Sequence, residues 1–406
     1  MKRLASIAAG LLLGSALAVS GAMAQTVTTV TWQMWAGGEE DVKGWQEIAD
    51  LVNAKYPEIK VELQTAPWGD YWTKLAVQAA SGQLTDIFSL QSLRTPNFHQ
   101  LMVPLDEYVA RDGFAVDQFV PSIIEGMSWE GKLYGLPFDL GPLMIFYNKD
   151  RFDAAGVAPT VEWTMDDFNA AAKALTTDGK YGVGVTPGLF AQWVASSGAS
   201  YVKEDGTYDF TNPDVIKAVE HLVGLVSTDK VAPAVASASA DEVNQGRFDS
   251  GDVAMYVDGP WALISKKQTV KFTLGVLPMP AGPGGLSMTS GAGFGISSTS
   301  QHKEEAWKAL QVITSPEALA ILGKTGRALP ARSAEQSYWF DFAAKDVVGA
   351  RESLTYAMDH SKSFETGGNF NVLEGLLNQY LPLAFSGSES VAETMATIQD
   401  LVEQAQ

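Results

Sequence analysis

Hydrophobic positions in the first quarter of the chain switch between a two-residue and a helical period. Residues 27–35 alternate apolar and polar side chains, which predicts a strand. Residues 39–56 repeat apolar side chains every three or four positions, which predicts an amphipathic helix that Pro57 ends. The segments that follow are a strand at 59–63, a helix at 71–81 with Asp70 as its N-cap, and a strand at 86–90. This alternation predicts a parallel sheet with helices on its faces.

The same two periods recur along the rest of the chain. The later predicted strands are 144–148, 181–185, 253–257 and 291–297, and the later predicted helices are 164–175, 213–227 and 302–315. In parallel α/β sheets, ligands bind outside the carboxyl ends of the strands. The strand at 253–257 ends at Gly259-Pro260-Trp261, a turn that places an indole ring at its edge. We therefore expect ligand-binding residues at these strand ends.

The first residues of the chain have the pattern of a secretory signal peptide. A basic start, Met1-Lys2-Arg3, precedes a mostly apolar stretch at 4–19 and the small residues of Gly21-Ala22-Met23-Ala24. A transmembrane anchor is the alternative, but this apolar stretch is shorter than the roughly 18 residues that a spanning helix requires. We expect a signal peptide at residues 1–24 and a mature protein in the periplasm.

Length and composition limit the class of protein. The 406 residues exceed the usual ceiling of about 250–300 residues for a single hydrophobic core, so two lobes are expected. The chain has no cysteine, which excludes disulfides and a thiol for lipid attachment. Its net charge of −19 disfavours binding to nucleic acid. Its four histidines do not have the spacing of metal ligands, so no metal or other cofactor is expected.

Five segments carry a family resemblance through their order and spacing. They are 30–35 (VTWQMW), 85–88 (TDIF), 134–150 with YGLPFD and FYNKD at its ends, 248–261 ending in Gly-Pro-Trp, and 326–332 (GRALPAR). Together they resemble the carbohydrate-type, maltose-binding-protein-like group of extracellular solute-binding proteins that serve ABC importers. The resemblance covers nearly the whole mature chain. It implies an α/β, periplasmic-binding-protein-like fold with two lobes joined by hinge crossings.

The resemblance also implies where the lobes and hinges lie. The N-terminal lobe would hold residues 25–139 plus 292–340, the C-terminal lobe 143–288 plus 343–406, and the hinges would lie near 139–143, 289–292 and 337–345. A sugar would bind between the lobes, and the monomeric protein would deliver it unchanged to a permease in the inner membrane. Two alternatives stay open: a binder of a polyol or polyamine, and a secreted glycoside hydrolase with Asp139 and Glu39 as its carboxylates.

The candidate ligand contacts follow from sugar chemistry, strand ends and the resemblance. Aromatic rings cover the apolar faces of a sugar, and polar side chains must satisfy its hydroxyls. Trp261 is the first candidate; Arg327 would either grip an acidic sugar or form a structural ion pair. The other candidates are Trp35, Gly37, Glu39, Trp68, Asp70, Gln91, Phe138, Asp139, Thr186, Gly188, Gln192, Gly291, Asn369 and Phe370. Maltose-binding-protein-like members tend to have Glu where this chain has Gly141, a departure that argues against maltodextrin specificity.

Overall fold

The computed structural model describes residues 27–235, 240–367 and 370–405. The predicted signal peptide at 1–24 and the candidate Asn369 lie outside these residues. The strands are β1 (Thr28–Trp35), β2 (Ile59–Ala66), β3 (Ile87–Gln91), β4 (Ser128–Trp129), β5 (Lys132–Leu133), β6 (Leu136–Pro137), β7 (Gly141–Pro142), β8 (Met144–Asn148), β9 (Tyr181–Val183), β10 (Val253–Asp258), β11 (Leu274–Pro278), β12 (Ser287–Ser290), β13 (Ala292–Ile296) and β14 (Ser361–Ser363).

Helices surround these strands. They are α1 (Glu39–Lys55), α2 (Trp68–Ser81), α3 (Thr95–Phe98), α4 (Asp106–Asp112), α5 (Pro121–Gly126), α6 (Lys149–Ala154), α7 (Met165–Ala174), α8 (Phe190–Ser196), α9 (Pro213–Ser227), α10 (Ala240–Asp249), α11 (Leu263–Thr269), α12 (Lys303–Ile313), α13 (Pro316–Thr325), α14 (Gln336–Phe342), α15 (Ala350–Asp359), α16 (Phe370–Ser386) and α17 (Val391–Gln404). None of the helices described combines the length and apolar character that a membrane span needs.

The first sheet has five strands in the order β2-β1-β3-β13-β6. As the alternation of strands and helices predicts, β1 pairs in parallel with both β2 and β3. The parallel sheet predicted from these three strands is confirmed, but two later strands extend it in the other direction, since β13 runs antiparallel to β3 and β6 runs antiparallel to β13. The chain forms a second sheet before it reaches β13. The direction of β13 is therefore not set by a strand–helix–strand crossover from β3. We call this sheet and the helices packed on it, which include α1, α2 and α12, the N-lobe.

The second sheet has four strands in the order β11-β8-β10-β9. Strand β8 lies antiparallel to both neighbours, whereas β10 and β9 are parallel. Helices α7, α10 and α15 pack on this sheet, and α8, α9, α16 and α17 pack against one another beside it. We call this unit the C-lobe.

A small third sheet lies where the chain passes between the lobes. Its order is β14-β12-β7, with β12 parallel to β14 and antiparallel to β7. Strand β7 follows the N-lobe strand β6 and precedes the C-lobe strand β8, while β12 directly precedes the N-lobe strand β13. The chain therefore passes between the lobes at β7 and again at β12, and β14 pairs beside β12.

The start of α2 differs from its prediction. The helix begins at Trp68, directly after Pro67, and no side chain caps it. Asp70 therefore lies inside the first turn, and its prediction as the N-cap is wrong. The reason is Pro67, whose extended backbone (ψ 154°) leads straight into helical geometry three residues early. The end of the helix is as predicted, because Gly82 adopts a left-handed φ of 68° there.

Candidate functional site

A cavity of about 610 Å³ lies between the two lobes. The N-lobe contributes the carboxyl ends of β1 and β3 and the start of α2, and the C-lobe contributes the end of β10 and the turn after β9. The lining residues are Trp35, Ala36, Gly37, Asp41, Trp68, Gln91, Asp139, Leu143, Thr186, Pro187, Gly188, Leu189, Tyr256, Val257, Asp258, Trp261, Ser290, Gly291, Ala292, Arg327 and Asn378. The cavity thus lies at the strand ends, where the α/β pattern predicts a ligand.

The structure brings most of the sequence-predicted site residues to this cavity. Those that line it are Trp35, Gly37, Trp68, Gln91, Asp139, Thr186, Gly188, Trp261, Gly291 and Arg327. The described candidates that do not line it are Glu39, Asp70, Phe138, Gln192 and Phe370. Each of these five has other contacts in the fold, and its contact with a ligand stays a prediction.

Phe138 and Gln192 are held inside the protein. Phe138 is completely buried, stacks on Phe294 with ring centroids 5.0 Å apart, and meets the edge of Trp45. The buried Gln192 donates to Ser196 Oγ over 2.9 Å and accepts from Met288 N–H over 2.9 Å, so it joins α8 to β12. Both side chains therefore have structural roles.

The remaining three candidates lie on helices and do not line the cavity. Phe370 is buried at the start of α16 and packs edge-on against Phe364. Glu39 and Asp70 are exposed in the first turns of α1 and α2, where a carboxylate interacts favourably with the helix dipole. Because Glu39 does not line the cavity, the Asp139–Glu39 carboxylate pair of the hydrolase alternative is not formed there.

The N-lobe wall of the cavity is a cluster of aromatic rings. Trp68 is 47% exposed, and its ring meets Trp35 edge-on with centroids 4.9 Å apart. Trp35 is largely buried and also contacts Tyr71 and Trp72 at 5.2 and 5.6 Å. Rings therefore support the indole that faces the cavity, and such pairs add stability beyond their buried area.

The C-lobe wall presents Trp261, which is 45% exposed, on a turn that backbone contacts hold. A methyl group on Gly259 would lie 2.2 Å from the six-membered ring of Trp261, so the ring rests directly on that glycine. A methyl group on Gly141 would lie 2.5 Å from the ring of Pro260 and 3.3 Å from Trp261. Gly141 therefore makes room for the Gly-Pro-Trp turn.

The charged residues of the cavity include one ion pair within the N-lobe wall. Arg327 Nε lies 3.1 Å from Asp41 Oδ1, and Asp41 Oδ2 accepts a hydrogen bond from Gly37 N–H over 2.9 Å. The structure thus favours the ion-pair alternative for Arg327 over the grip on an acidic sugar. The Gly37 N–H is also already bonded within the protein.

Asp139 and Asp258 add two further carboxyl groups. Asp139 Oδ1 accepts from Ala292 N–H over 2.6 Å, at the point where β13 leaves the crossing. Burial raises the pKa of Asp139 from 3.8 to about 6, against the opposing effects of the Arg327 charge and the Ala292 hydrogen bond. Asp258 Oδ1 accepts from Gly259 N–H over 2.7 Å and so braces the turn that carries Trp261.

Eleven lining residues are not among the contacts predicted from the sequence. They are Ala36, Asp41, Leu143, Pro187, Leu189, Tyr256, Val257, Asp258, Ser290, Ala292 and Asn378. Five of them, Ala36, Pro187, Leu189, Ser290 and Ala292, are adjacent in sequence to a predicted contact. Asn378 is not next to a predicted contact in sequence. It follows Asn371 and Glu374 at helical spacing on α16, and this polar stripe is the sequence pattern that could have identified it. Within the described residues, no cluster of three or more His, Asp or Glu side chains could hold a metal ion.

A family profile described as "Bacterial extracellular solute-binding protein" matches residues 36–320. The chain belongs to this family. The resemblance stated from the five sequence segments is therefore confirmed at the level of the family.

Curated relatives and solved structures agree with this family. The lactose-binding protein of Rhizobium radiobacter is 26% identical over 370 residues, which cover 83% of this chain and 86% of the relative. The arabinooligosaccharide-binding protein of Bacillus subtilis is 26% identical over 265 residues, covering 63% and 60%. An ABC substrate-binding protein of Listeria monocytogenes, solved with cycloalternan, superposes with a TM-score of 0.83 at 24% identity, covering 93% and 99%. The predicted periplasmic-binding-protein-like fold is thereby confirmed.

Proposed function

We propose that this solute-binding protein is the carbohydrate-binding subunit of an ABC importer. The observation that carries the proposal is the pair of half-exposed indoles, Trp68 and Trp261, that reach one cavity from opposite lobes. A pyranose ring has two apolar C–H faces, and two rings on opposite walls suit that geometry.

The rim of the cavity supports the same ligand class. Amide, hydroxyl and carboxyl groups of Gln91, Thr186, Ser290, Asn378 and Asp258 line it. Such groups satisfy buried sugar hydroxyls, each of which would otherwise cost about 1–3 kcal/mol. The named ligands of the relatives, lactose and arabinooligosaccharides, belong to this class. The cavity volume lies within the usual range of about 300–1,000 Å³ for small-molecule sites, so the proposed ligand is a mono- or oligosaccharide or a sugar derivative.

The proposed mechanism is binding without chemistry. The lobes close on the sugar about the chain crossings between them, and the closed form docks on the permease in the inner membrane. The protein would act as a monomer in the periplasm, without a cofactor. Family membership and the two-lobe architecture support this mechanism.

The charge of the lining refines the class of sugar. Asp41, Asp139 and Asp258 outnumber Arg327, which is the cationic side chain among the described lining residues and is already paired. An anionic sugar would meet repulsion from this lining, whereas a neutral or amino sugar would not. The excess of carboxyl groups also keeps a cationic solute such as a polyamine as the second candidate.

Thermal shift followed by calorimetry tests the proposal. The panel holds lactose, maltotriose, an arabino-oligosaccharide, mannitol, glucosamine, spermidine and galacturonate. We expect a neutral or amino sugar to raise the melting temperature through mass action, and galacturonate to leave it unchanged. Stabilisation by spermidine alone would support the second candidate, and hydrolysis of a bound oligosaccharide would contradict the proposed function.

A further inference from the structure

Arg94 connects the two lobes beside the cavity. It ends the 3-10 turn Ser92–Arg94 that follows β3 of the N-lobe, and the residue is 8% exposed. Its guanidinium donates to Asn371 Oδ1 and, over 3.0 Å, to Glu374 Oε2, both on α16 of the C-lobe. A buried guanidinium that crosses between lobes is a contact that opening of the cleft must break.

Aromatic rings from both lobes also hold this guanidinium. Its central carbon lies 4.4 Å from the ring centroid of Trp72, which belongs to the N-lobe ring cluster, and 5.9 Å from that of Phe370 on α16. Cation–π contacts with Arg gain strength when water is excluded. Ring contacts from both lobes therefore hold Arg94 in position.

Arg94 also fixes the side chain of Gln91. Its Nε donates to Gln91 Oε1 over 2.9 Å, and Gln91 lines the cavity. A guanidinium has donors only, so it orients the amide with the carbonyl oxygen towards Arg94. The amide nitrogen of Gln91 is left as the donor available to a ligand in the cavity.

The face of α16 that meets Arg94 continues into the cavity. Asn371, Glu374 and Asn378 share one face of the helix, while Leu373, Leu377 and Leu381 are packed into the C-lobe core on another. The first two polar residues bind Arg94, and the third lines the cavity. One helix face therefore carries both the inter-lobe contact and a ligand-facing amide.

We propose that Arg94 is a positioning residue that couples lobe closure to the assembly of the sugar site. Its bonds to α16 favour the closed form, and the same guanidinium then presents the Gln91 amide nitrogen to the ligand. Both parts rest on the lobe closure of the proposed function, but only the coupling to ligand also rests on a sugar being the ligand.

The closure part is tested without ligand. The chain contains no cysteine, so Val77→Cys on α2 and Lys217→Cys on α9 give one spin label on an exposed position of each lobe. We expect Arg94→Met and Glu374→Gln to reduce the short-distance population of the ligand-free protein severalfold. Distance distributions identical to those of the parent double-cysteine protein would overturn the proposal.

Arg111→Met is the matched control. Arg111 also pairs with a glutamate, since its Nη1 lies 3.0 Å from Glu304 Oε2, and it lies 5.2 Å from the ring centroid of Tyr108. All of these contacts lie within the N-lobe, so the distance distribution should not change. A shift as large as that of Arg94→Met would mean that loss of any such arginine has this effect.

The positioning part uses lactose and maltotriose as probes. Arg94→Met should raise the Kd of the sugar that binds by about tenfold, mainly through faster dissociation. Arg94→Lys should recover only part of this loss, because one ammonium cannot replace the forked contacts. The Gln91→Ala/Arg94→Met double variant should bind no more weakly than the weaker single variant.

The outcomes separate the two proposals. Fully additive losses in the double variant would overturn the role of Arg94 in orienting Gln91. If neither sugar binds the unmodified protein, the choice of these sugars fails, while the ligand-free distances still decide whether Arg94 favours closure.

Discussion

The two walls of the cavity present similar indoles but hold them by opposite means. Trp68 of the N-lobe rests on other side chains, with Trp35 and Trp72 at 4.9 and 5.3 Å. Trp261 of the C-lobe rests on positions that have no side chain, Gly259 and Gly141, and on the turn they accommodate. The N-lobe wall is therefore a cluster whose members support one another, and the C-lobe wall is a single ring held by backbone.

Each wall should therefore be sensitive to a different kind of substitution. Loss of Trp68 leaves Trp35 and Trp72 in place to offer apolar surface, whereas loss of Trp261 leaves only glycine and proline behind it. Conversely, a larger side chain should disrupt the C-lobe wall more than the N-lobe wall, because there is no space for a side chain at Gly259 or Gly141.

The largest effect is expected for Trp261→Ala, the direct test of the C-lobe wall. Removing this anchor should weaken sugar binding by roughly 2–4 kcal/mol, as for other central aromatic contacts. Calorimetry with the sugar found in the panel measures the loss. Phe342→Ala is the control, because Phe342 is an equally exposed aromatic residue on α14 that does not line the cavity. Unchanged affinity of the Trp261 variant would remove that ring from the site.

Gly259→Ala should have the next largest effect. The backbone φ of −105° at Gly259 is open to any residue, so the damage comes from the new methyl group 2.2 Å from the Trp261 ring. We expect the free energy of unfolding to fall by about 1–3 kcal/mol, the usual cost of overpacking, and sugar binding to weaken because the ring is displaced.

Gly44→Ala is the matched glycine control for this prediction. Gly44 lies inside α1, where an added methyl group meets no atom within 4 Å. It should stabilise the protein by about 0.5–1 kcal/mol and leave sugar affinity unchanged. Full affinity in the Gly259 variant would show that backbone packing does not hold Trp261.

Trp68→Ala should weaken binding by a smaller amount, about 1–2 kcal/mol, because Trp35 and Trp72 stay as apolar surface. The same calorimetric titration measures it beside the Trp261 variant. A loss as large as that of Trp261→Ala would contradict the proposed difference between the walls, because it would mean that Trp35 and Trp72 do not compensate for the missing ring.

The smallest expected effect is a pH dependence of sugar affinity that comes from Asp139. We expect sugar hydroxyls to donate to the ionised carboxylate, and its pKa of about 6 means that this form is lost as the pH falls through 6. Affinity should then fall by up to about tenfold between pH 7 and pH 5. Titrations of the unmodified protein and of Asp139→Asn check this, since the step should be missing from the variant.

The stability of the sugar-free protein should respond to Asp139 in the opposite direction. Folding raises the pKa of this carboxyl from 3.8 to about 6, so the folded state binds more protons than the unfolded state in that window. Its contribution to stability therefore rises as the pH falls from 6 towards 3.8. Thermal melts of the unmodified protein and of Asp139→Asn over that range isolate this contribution.

Local patterns predicted the strands and helices that build the cavity wall. The alternation at residues 27–35 and the helical period after it became β1 and α1 with nearly the same bounds. The strand before Gly-Pro-Trp became β10, and its turn carries Trp261 into the cavity. These features depend on periodicity and turn chemistry, which adjacent residues determine.

The surroundings of two predicted site residues depended on distant parts of the chain. Phe138 directly follows β6, and Trp45 and Phe294 pack on its ring, so it does not line the cavity. Nothing near Arg327 in the sequence indicates that Asp41, far earlier in the chain, lies 3.1 Å away. Burial and charge pairing of this kind arise only when separate segments pack.

The sequence by itself determined the class of the protein: an acidic, cysteine-free chain of strands and helices with the segments of a solute-binding family. The contacts among the polar and aromatic side chains of the protein depend on the tertiary fold. They include the link from Gln91 through Arg94 to α16. The two outcomes differ because the interactions involved act between residues at different separations along the chain. Secondary structure follows from neighbours along the chain, whereas a binding cavity follows from contacts between residues hundreds of positions apart.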